Sequence, residues 1–381
     1  MKLKCRPEDF RVTEQISRQS ADGGFSLYRL TKTSITTPDA IQRICRQWNL
    51  ASRQCAHAGL KDRHAQTVQH LTIARGPKAD LETESLRLEF IGRTGRPLEA
   101  ADIVANSFEI VVRALNAAQT AQIQAALPAV RELGYPNYFD EQRFGSLGPS
   151  AEFVGKAWCL KDYERALWLT FAEHNVHDDA EERHQKRLTR ELWGDWSKLK
   201  AQLQRSHRRS VVTYLVDHPE GFRKAFALVN PDLRGIFLSA FQSAVWNRML
   251  GVAFGSEQTL STIRIGDADL PFARGIAPTV TRIPLPSVRV RGLSAELKRL
   301  YATALRAYDM EPEEMKISFP RDRWFSRARR DTMIIPQSLG AVSTDDDLYR
   351  GRQKLTLCFD LPRGCYATML IRFLTESLQG D

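Results

Sequence analysis

The sequence predicts an α+β protein whose strands and helices alternate and leave room for antiparallel pairing. Segments with alternating apolar and polar side chains, typical of half-buried strands, occur near both ends of the chain, with segments of helical apolar spacing between them. No Gly-x-Gly-x-x-Gly dinucleotide motif is present, and six residues separate Gly148 from Gly155, where a phosphate-binding P-loop has four. These observations disfavour a nucleotide-binding α/β fold.

Four segments in the first part of the chain predict strands because apolar and polar residues alternate in them, cleanly in the first segment and with interruptions in the other three. They are DFRVTEQIS from Asp9, FSLYRLTK from Phe25, QTVQHLTIA from Gln66 and SFEIVVRAL from Ser107.

Three segments predict helices. TTPDAIQRICRQWNL has Thr37 as a candidate N-cap before Pro38. LNAAQTAQIQAALPAVRELG predicts a helix that breaks near Pro128 and ends at Gly134. Near the carboxyl end, a strand with alternating Leu355, Leu357 and Phe359 precedes a closing helix that begins within Tyr366 to Phe373.

Length and charge bound the function. A chain of 381 residues is long enough for two domains, and its 43% hydrophobic and 26% charged residues indicate folded rather than disordered protein. The formal net charge of +10 favours a polyanionic partner, since Lys and Arg that neutralise phosphates release condensed counterions.

Cysteine, histidine and hydropathy patterns exclude several classes. The six cysteines form no Cys-x-x-Cys pair, which favours reduced thiols, and the eight histidines show no metal-binding spacing, so no metal is expected. The amino terminus lacks a signal-peptide core, and no apolar run reaches the roughly 18 residues that span a bilayer. We expect a soluble, cytoplasmic protein without a membrane partner.

Asp62 is a candidate functional residue because it lies in a predicted loop between ordered elements. The segment HAGLKDRHAQTVQ places Asp62 between Lys61 and Arg63, shortly after Gly59, which permits a tight bend. Read alone, the segment is also compatible with a solvated turn that carries an incidental charge cluster.

A second candidate loop is YPNYFDEQRFGSLG, Tyr135 to Gly148. It combines the amide of Asn137, the aromatic ring of Phe139 and the guanidinium of Arg143, which are suited to holding a splayed base by edge contacts and stacking. The alternative is a structural turn whose aromatic side chains enter the core.

Taken together, five segments resemble the signature of the TruD family of pseudouridine synthases. They are, in chain order, LKCRPEDFRVTE, AGLKDRHAQTVQ, PNYFDEQRFG, FLSAFQSAVWN and DLPRGCYATMLIR, and the resemblance spans the chain from Lys4 to Arg372. The resemblance implies isomerisation of a uridine to pseudouridine in RNA, with tRNA as the substrate, position 13 as the usual bacterial site and no cofactor.

The resemblance also implies roles for individual residues. Asp62 matches the catalytic aspartate of the family, and Lys4 the basic residue beside it. Four positions match substrate-binding residues: Phe10 and Tyr366 as pocket aromatics, Asn137 as the base-holding amide and Phe139 as the stacking aromatic. Lys4 would keep Asp62 ionised, because an opposite charge nearby favours the charged carboxylate.

The domain organisation that follows is discontinuous. Residues 1–148 and 326–381 would form a catalytic domain with a mixed, mainly antiparallel sheet, and 149–325 an inserted α/β domain. The basic runs RHQKRLTR from Arg183, RSHRR from Arg205 and RWFSRARR from Arg323 are candidate RNA contacts, the last with Trp324 and Phe325 as stacking surfaces. We expect a monomer, since no segment predicts a coiled coil.

Two other functions stay open at this level. An RNA-binding protein without catalysis would show the same basic loops, although an intact Asp62 and Lys4 disfavour it. A ligase or methyltransferase that acts on RNA would need a phosphate-binding or adenosine-binding loop, which the sequence lacks.

Overall fold

The chain folds into two compact units. A computed structural model describes residues 1–18, 22–255, 261–272 and 275–375. The first unit comprises Met1–Tyr135 and Ile334–Asp381, and the second comprises Pro136–Met333. The first unit is therefore built from both ends of the chain.

The strands within the described residues are β1 Lys2–Leu3, β2 Phe10–Ile16, β3 Phe25–Thr33, β4 Cys55–His57, β5 Gln66–Ala74, β6 Leu81–Thr83, β7 Leu86–Thr94, β8 Ile103–Leu115, β9 Tyr135–Pro136, β10 Thr262–Ile265, β11 Ala268–Pro271, β12 Arg282–Pro284, β13 Arg329–Asp331, β14 Met333–Ile334, β15 Gln337–Asp345 and β16 Gln353–Pro362.

The α-helices within the same residues are α1 Thr37–Gln47, α2 Ala117–Leu133, α3 Val154–Cys159, α4 Tyr163–Phe171, α5 Ala180–Glu191, α6 Trp196–Gln202, α7 His207–Asp217, α8 Phe222–Leu228, α9 Pro231–Ala253, α10 Ala295–Arg306 and α11 Ala367–Thr375. None of these helices is long and apolar enough to cross a membrane.

The first unit is organised around one sheet, with strand order β15-β16-β8-β2-β5-β3-β7-β6. β1 also pairs with β8, and β4 with β5. Only the pairing of β2 with β5 is parallel among the described strands of this sheet, with Arg11 opposite Gln66. The predicted α+β class with a mixed, mainly antiparallel sheet is confirmed.

Helix α1 covers one end of this sheet. Ile44 and Ile41 from its apolar face pack with Leu30 of β3, Leu71 of β5 and Leu88 of β7 in one buried cluster. The helical spacing of apolar residues in the sequence predicted this face correctly.

The start of α1 differs from the prediction by one residue. Thr36, rather than Thr37, is the N-cap, and its hydroxyl accepts a hydrogen bond from the Asp39 backbone N–H at 3.2 Å. Thr37 is buried instead and donates to Gln69 Oε1 at 2.8 Å. Either threonine satisfies the capping preference, so the sequence could not separate them.

Helix α2 continues through Pro128, although the sequence predicted a break there. The helix runs unbroken from Ala117 to Leu133 and ends at Gly134, whose φ is +77°. An internal proline removes one backbone hydrogen bond. Burial of Ile123, Leu127 and Val130 on both sides of the proline offsets that loss.

A buried ion network joins three parts of the first unit. Arg113 of β8 donates to both carboxylate oxygens of Asp9 at 2.8–2.9 Å, to Asp346 at 2.9 Å and to Asp347 at 2.8 Å. Arg113, Asp9 and Asp346 are buried, and Asp346 also accepts the Ala114 backbone N–H at 2.8 Å. The amino-terminal turn, β8 and the segment after β15 are thus fixed together.

The second unit is mainly helical, with small two-stranded sheets of β10–β11 and β12–β13. Its central element is α9, for which the spacing of Leu238 and Val245 in the sequence predicts an amphipathic helix with one apolar face. The helix is buried on nearly all sides instead, including the polar side chains of Gln242 and Asn247. Buried polar residues on such a helix need partners, and both hold irregular segments of this unit.

Residues 136–148 and 326–333, which the sequence assigned to the first domain, are part of the second unit. The reason is hydrogen bonding to that unit. Asn247 binds the backbone N–H and C=O of Phe139 at 2.8 and 2.9 Å, and the Tyr138 hydroxyl donates to the carbonyl of Pro271 at 2.8 Å.

Replacing Arg113 should destabilise the first unit. Arg113→Met leaves buried carboxylates without their counter-ion, which costs about 3–5 kcal/mol. Arg11→Met is the matched control, because Arg11 pairs with Glu109 on the exposed face of the same sheet and such pairs contribute about 0–1 kcal/mol. Urea unfolding at pH 7, followed by circular dichroism, measures both.

The difference in free energy of unfolding between Arg113→Met and the unmodified protein should become smaller at acidic pH. Burial alone raises the pKa of Asp346, but hydrogen bonds from Ala114, Leu348 and Arg113 outweigh it and lower the pKa below 3.8. A lowered carboxylate pKa gives stability that is complete above the unfolded pKa and lost as pH falls through the folded one. Equal urea midpoints for Arg113→Met and Arg11→Met at pH 7 would contradict a stabilising role for the Arg113 network.

Candidate active site

Asp62 lies in the loop between β4 and β5 and is paired with Lys4. Lys4 Nζ donates to Asp62 Oδ2 at 2.9 Å, and the two side chains are 28% and 35% exposed. Asp62 Oδ1 makes no hydrogen bond within the described part of the chain. The carboxylate is therefore held through one oxygen, and a solvent-borne molecule can reach it.

Lys4 is held in an unusual backbone conformation. Its φ is +52°, in the left-handed region that residues other than glycine seldom occupy. Its ammonium also lies over the ring of Phe10, 4.2 Å from the centroid, which is a favourable cation–π distance. Strain of this kind persists where surrounding contacts fix the backbone, and it is common at functional sites.

The backbone beneath Asp62 is anchored by the buried Lys32 of β3. Lys32 Nζ donates to the carbonyl oxygens of Asp62 at 2.9 Å, Ile35 at 2.8 Å and Lys61 at 3.4 Å. A charged lysine has three N–H donors, which matches these three acceptors. Burial is the main cause that lowers the pKa of Lys32 to about 8; Lys61 adds to the lowering and Asp62 opposes it.

Lys61 holds the other side of the loop. Its backbone N–H donates to the Thr37 hydroxyl at 3.1 Å, and its Nζ donates to the buried carboxylate of Glu14 at 2.6 Å. Glu14 also accepts the His70 backbone N–H at 3.0 Å. Burial favours a raised pKa for Glu14, but His70 and Lys61 outweigh it and lower the pKa. The interior thus fixes the Asp62 loop through charged and neutral hydrogen bonds.

Three predicted site residues, Lys4, Phe10 and Asp62, therefore lie together in the first unit. Phe10 is buried under Lys4 and meets Phe108 edge-on, with ring centroids 6.3 Å apart. Tyr366, also in this unit, is half-buried just before α11, and its carbonyl accepts a hydrogen bond from the Tyr135 hydroxyl at 3.3 Å.

Asn137 and Phe139 form part of a polar and aromatic cluster in the second unit. Asn137 is 2% exposed, its Nδ2 donates to the carbonyl of Asp331 at 2.8 Å and its Oδ1 accepts from Arg330. The Arg330 guanidinium also lies over the Phe139 ring, 4.3 Å from the centroid, and Trp246 meets that ring edge-on at 5.5 Å. Both residues are built into the interior of this unit.

Arg143 lies at the same cluster. Its guanidinium is 5.3 Å from the Phe139 ring centroid, and its Nη1 donates to the Ser239 hydroxyl at 3.1 Å. Its Nε is buried without a hydrogen-bond partner among the described residues.

The residues that anchor these segments were not identified from the sequence as site residues. Lys32, Thr37 and Glu14 look like ordinary strand and helix residues, and nothing in their local pattern indicates burial beside the Asp62 loop. Arg330 ends the basic run from Arg323 that predicted RNA contact, and it binds Asn137 and Phe139. The one available signal was Lys32, which lies at an inward position of a predicted strand, because a buried lysine needs hydrogen-bond partners.

Comparison with known proteins places the chain in a family. The family model described as tRNA pseudouridine synthase D (TruD) matches residues 1–283. The chain belongs to the TruD family. The five motifs that predicted this family from the sequence therefore identified it correctly.

Relatives named as TruD proteins match along nearly the whole chain. A probable tRNA pseudouridine synthase D 2 of Methanocaldococcus jannaschii is 29% identical, over 98% of this chain and 91% of that protein. A probable tRNA pseudouridine synthase D of Halobacterium salinarum is 30% identical, over 99% and 93%. The crystal structure of a putative TruD from Methanosarcina mazei shares the fold, with a TM-score of 0.73, 24% identity and coverage of 98% and 93%.

The lowered pKa of Lys32 can be measured directly. In NMR spectra of the protein labelled at its lysine side chains, the signal that disappears in Lys32→Met should titrate near pH 8, because burial disfavours the ammonium form. Lys78→Met, at an exposed position of the first unit, controls for general spectral changes. Titration of the Lys32 signal near the ordinary value of 10.5 would show that the ammonium is not buried in this way.

Proposed function

We propose that this protein is a tRNA pseudouridine synthase that isomerises a uridine, with position 13 of tRNA as the first target to test. The observation that carries the proposal is the Lys4–Asp62 contact of 2.9 Å in a TruD-family chain. The loop that carries Asp62 is fixed by two hydrogen bonds, one from Lys32 to the Asp62 carbonyl and one from Lys61 to Glu14. The net charge of +10 supports a polyanionic substrate.

The reaction requires one reactive carboxylate. The bond between N1 of uracil and C1′ of ribose breaks, the ring turns, and C5 bonds to C1′ while the C5 proton is lost and N1 gains one. No atom is gained or lost overall, so the isomerisation needs no oxidant or reductant. Asp62 acts either as a nucleophile or as a base that removes the 2′ proton, and its Oδ1, which has no hydrogen bond among the described residues, is the oxygen available for either role.

Lys4 and the loop anchors give Asp62 a fixed position. The ammonium of Lys4 binds the Asp62 carboxylate and restrains one of its oxygens. Because the loop backbone is tied to buried Lys32, little reorganisation is needed when the substrate binds, and such positioning is a large part of enzymatic rate enhancement.

The substrate-binding roles of Phe10, Asn137, Phe139, Arg143 and Tyr366 are part of the proposal. Phe10 supports Lys4 through its ring face. The amide of Asn137 already binds Asp331 and Arg330, so direct binding of a base edge requires exchange of one of those hydrogen bonds. Phe139 is 6% exposed, so stacking on a base requires part of its ring to be uncovered.

Removal of the Asp62 carboxylate should slow product formation strongly. Unmodified tRNA transcripts incubated without added cofactor should gain pseudouridine with the unmodified protein, whereas Asp62→Asn should lower the rate by at least about 10²–10⁴-fold, the range for loss of an acid–base group. Mass spectrometry quantifies the product, and carbodiimide mapping locates it.

Asp360→Asn is the matched control, since Asp360 lies on β16 of the same unit and binds Gln15 at 3.2 Å. It should retain full activity. RNA binding without product by the unmodified protein would contradict the catalytic proposal and favour a binding role. Product at a position other than 13 would correct only the target.

A further inference from the structure

A cavity in the second unit has features of a nucleotide-binding site. It shares no residue with the Lys4–Asp62 pair or with the cluster around Asn137 and Phe139. Its volume is about 350 Å³, within the range of small-molecule sites. Its walls come from three segments, 287–289, 315–318 and 321–325. It contains none of Lys4, Asp62, Asn137 and Phe139.

The cavity is lined by cations and by no carboxylate among the described residues. Four of its side chains are basic: Arg289, Lys316, Arg321 and Arg323. Arg323 is paired with Asp232 at 2.5 Å, whereas Arg289, Lys316 and Arg321 have no ion pair within the described ranges. The nearby Asp322 is bound by Arg234 at 2.7 Å and so is already neutralised. Unpaired cations favour an anionic ligand.

Trp324 supplies an aromatic surface beside these cations. Of the seven tryptophans, it alone is exposed, with 67% of its surface accessible, and it makes no ring contact with another described residue. An exposed indole offers a flat apolar face together with one N–H donor. An indole flanked by cations is the combination that holds single-stranded nucleic acid, through stacking of a base and contact with phosphates.

Ser287 provides the polar group that points to a ligand independently. It lines the cavity and is 4% exposed, and its hydroxyl has no hydrogen-bond partner among the described residues. A buried hydroxyl without a partner loses free energy unless a ligand or water binds it. Because the hydroxyl oxygen is almost wholly covered, its side chain must rotate before it can donate to or accept from a base edge or a ribose hydroxyl.

Buried Gln242 of α9 holds the chain next to two walls of the cavity, at the residues that flank Ser287 and Phe325. Gln242 Nε2 donates to the carbonyls of Pro286 at 3.0 Å and Ser326 at 2.8 Å, and its Oε1 accepts the Ser326 backbone N–H at 3.2 Å. The Val288 N–H also donates to the carbonyl of Met315 at 3.0 Å, joining the first and second walls. A preformed site binds with a smaller ordering cost.

We propose that this cavity binds one nucleotide of the substrate RNA other than the uridine that is isomerised. The base stacks on Trp324, Ser287 contacts its edge or its ribose, and Arg289, Lys316 and Arg321 contact the flanking phosphates. The inference rests on the proposed function for the identity of the RNA, but binding at the cavity can be measured without turnover.

The first experiment measures tRNA affinity in the Asp62→Asn background by filter binding. Trp324→Leu should raise the Kd about 5- to 150-fold, the range for loss of one base–aromatic stack. Trp324→Phe, which keeps an aromatic face, should recover most of the affinity. Thermal unfolding of each variant verifies folding, which an exposed side chain should not affect.

The second experiment measures salt dependence. Arg289→Gln and Arg321→Gln should each reduce the slope of log Kd against log salt by about one, as expected for loss of one phosphate contact. Arg306→Gln is the matched control, because Arg306 is an exposed cation at the end of α10 outside the cavity. It should leave the slope unchanged.

Ultraviolet cross-linking identifies the bound nucleotide. A cross-link from the Trp324 peptide to a nucleotide other than the modified uridine supports the proposal. Unchanged Kd and slope in all cavity variants would overturn it and favour a non-RNA ligand such as an acidic protein. If the unmodified protein makes pseudouridine and the cavity variants bind tRNA normally, the proposal of a nucleotide site in this cavity fails and the catalytic proposal stands. If the unmodified protein makes no pseudouridine and the cavity variants bind tRNA weakly, the catalytic proposal fails and the cavity proposal stands.

Discussion

The first unit depends on the ion pairs that the buried guanidinium of Arg113 makes with three carboxylates. Arg113 binds Asp9 in the turn that follows Lys4, and it binds Asp346 and Asp347 more than 200 residues later. Asp9 in turn accepts the Arg6 backbone N–H at 3.0 Å. Met1 and Leu3 of the short amino-terminal segment are exposed, so this network fixes the segment to the sheet and thereby positions Lys4 over Phe10 and against Asp62.

Much of the first unit could be predicted because its information is local. Alternation in the segments around Val12 and Leu71 identified strands, and the spacing of Ile41 and Ile44 identified the buried face of α1. The motif around Asp62 identified the family. These predictions succeed because period and turn chemistry act within a few residues.

The remainder of the site depends on contacts between residues distant in the sequence. Lys32 reaches a carbonyl 30 residues away, and Asn137 binds Arg330 at a separation of 193. No local pattern specifies such pairs, so the sequence could not distinguish an anchoring lysine from a surface one. The same limit explains why α9 was expected to be amphipathic, since its polar residues are buried by segments that follow much later.

The discontinuity of the first unit also constrains the order of folding during synthesis. β8 lies between β2 and β16 in the sheet, but β16 begins at Gln353, after the whole second unit has been made. Arg113 precedes Asp346 by 233 residues, which corresponds to about 10–50 s at the usual rates of translation. During that interval the edge of β8 that pairs with β16 is unpaired, and Arg113 lacks Asp346 and Asp347. The amino-terminal strands therefore form an incomplete sheet until the residues after the second unit have been synthesised.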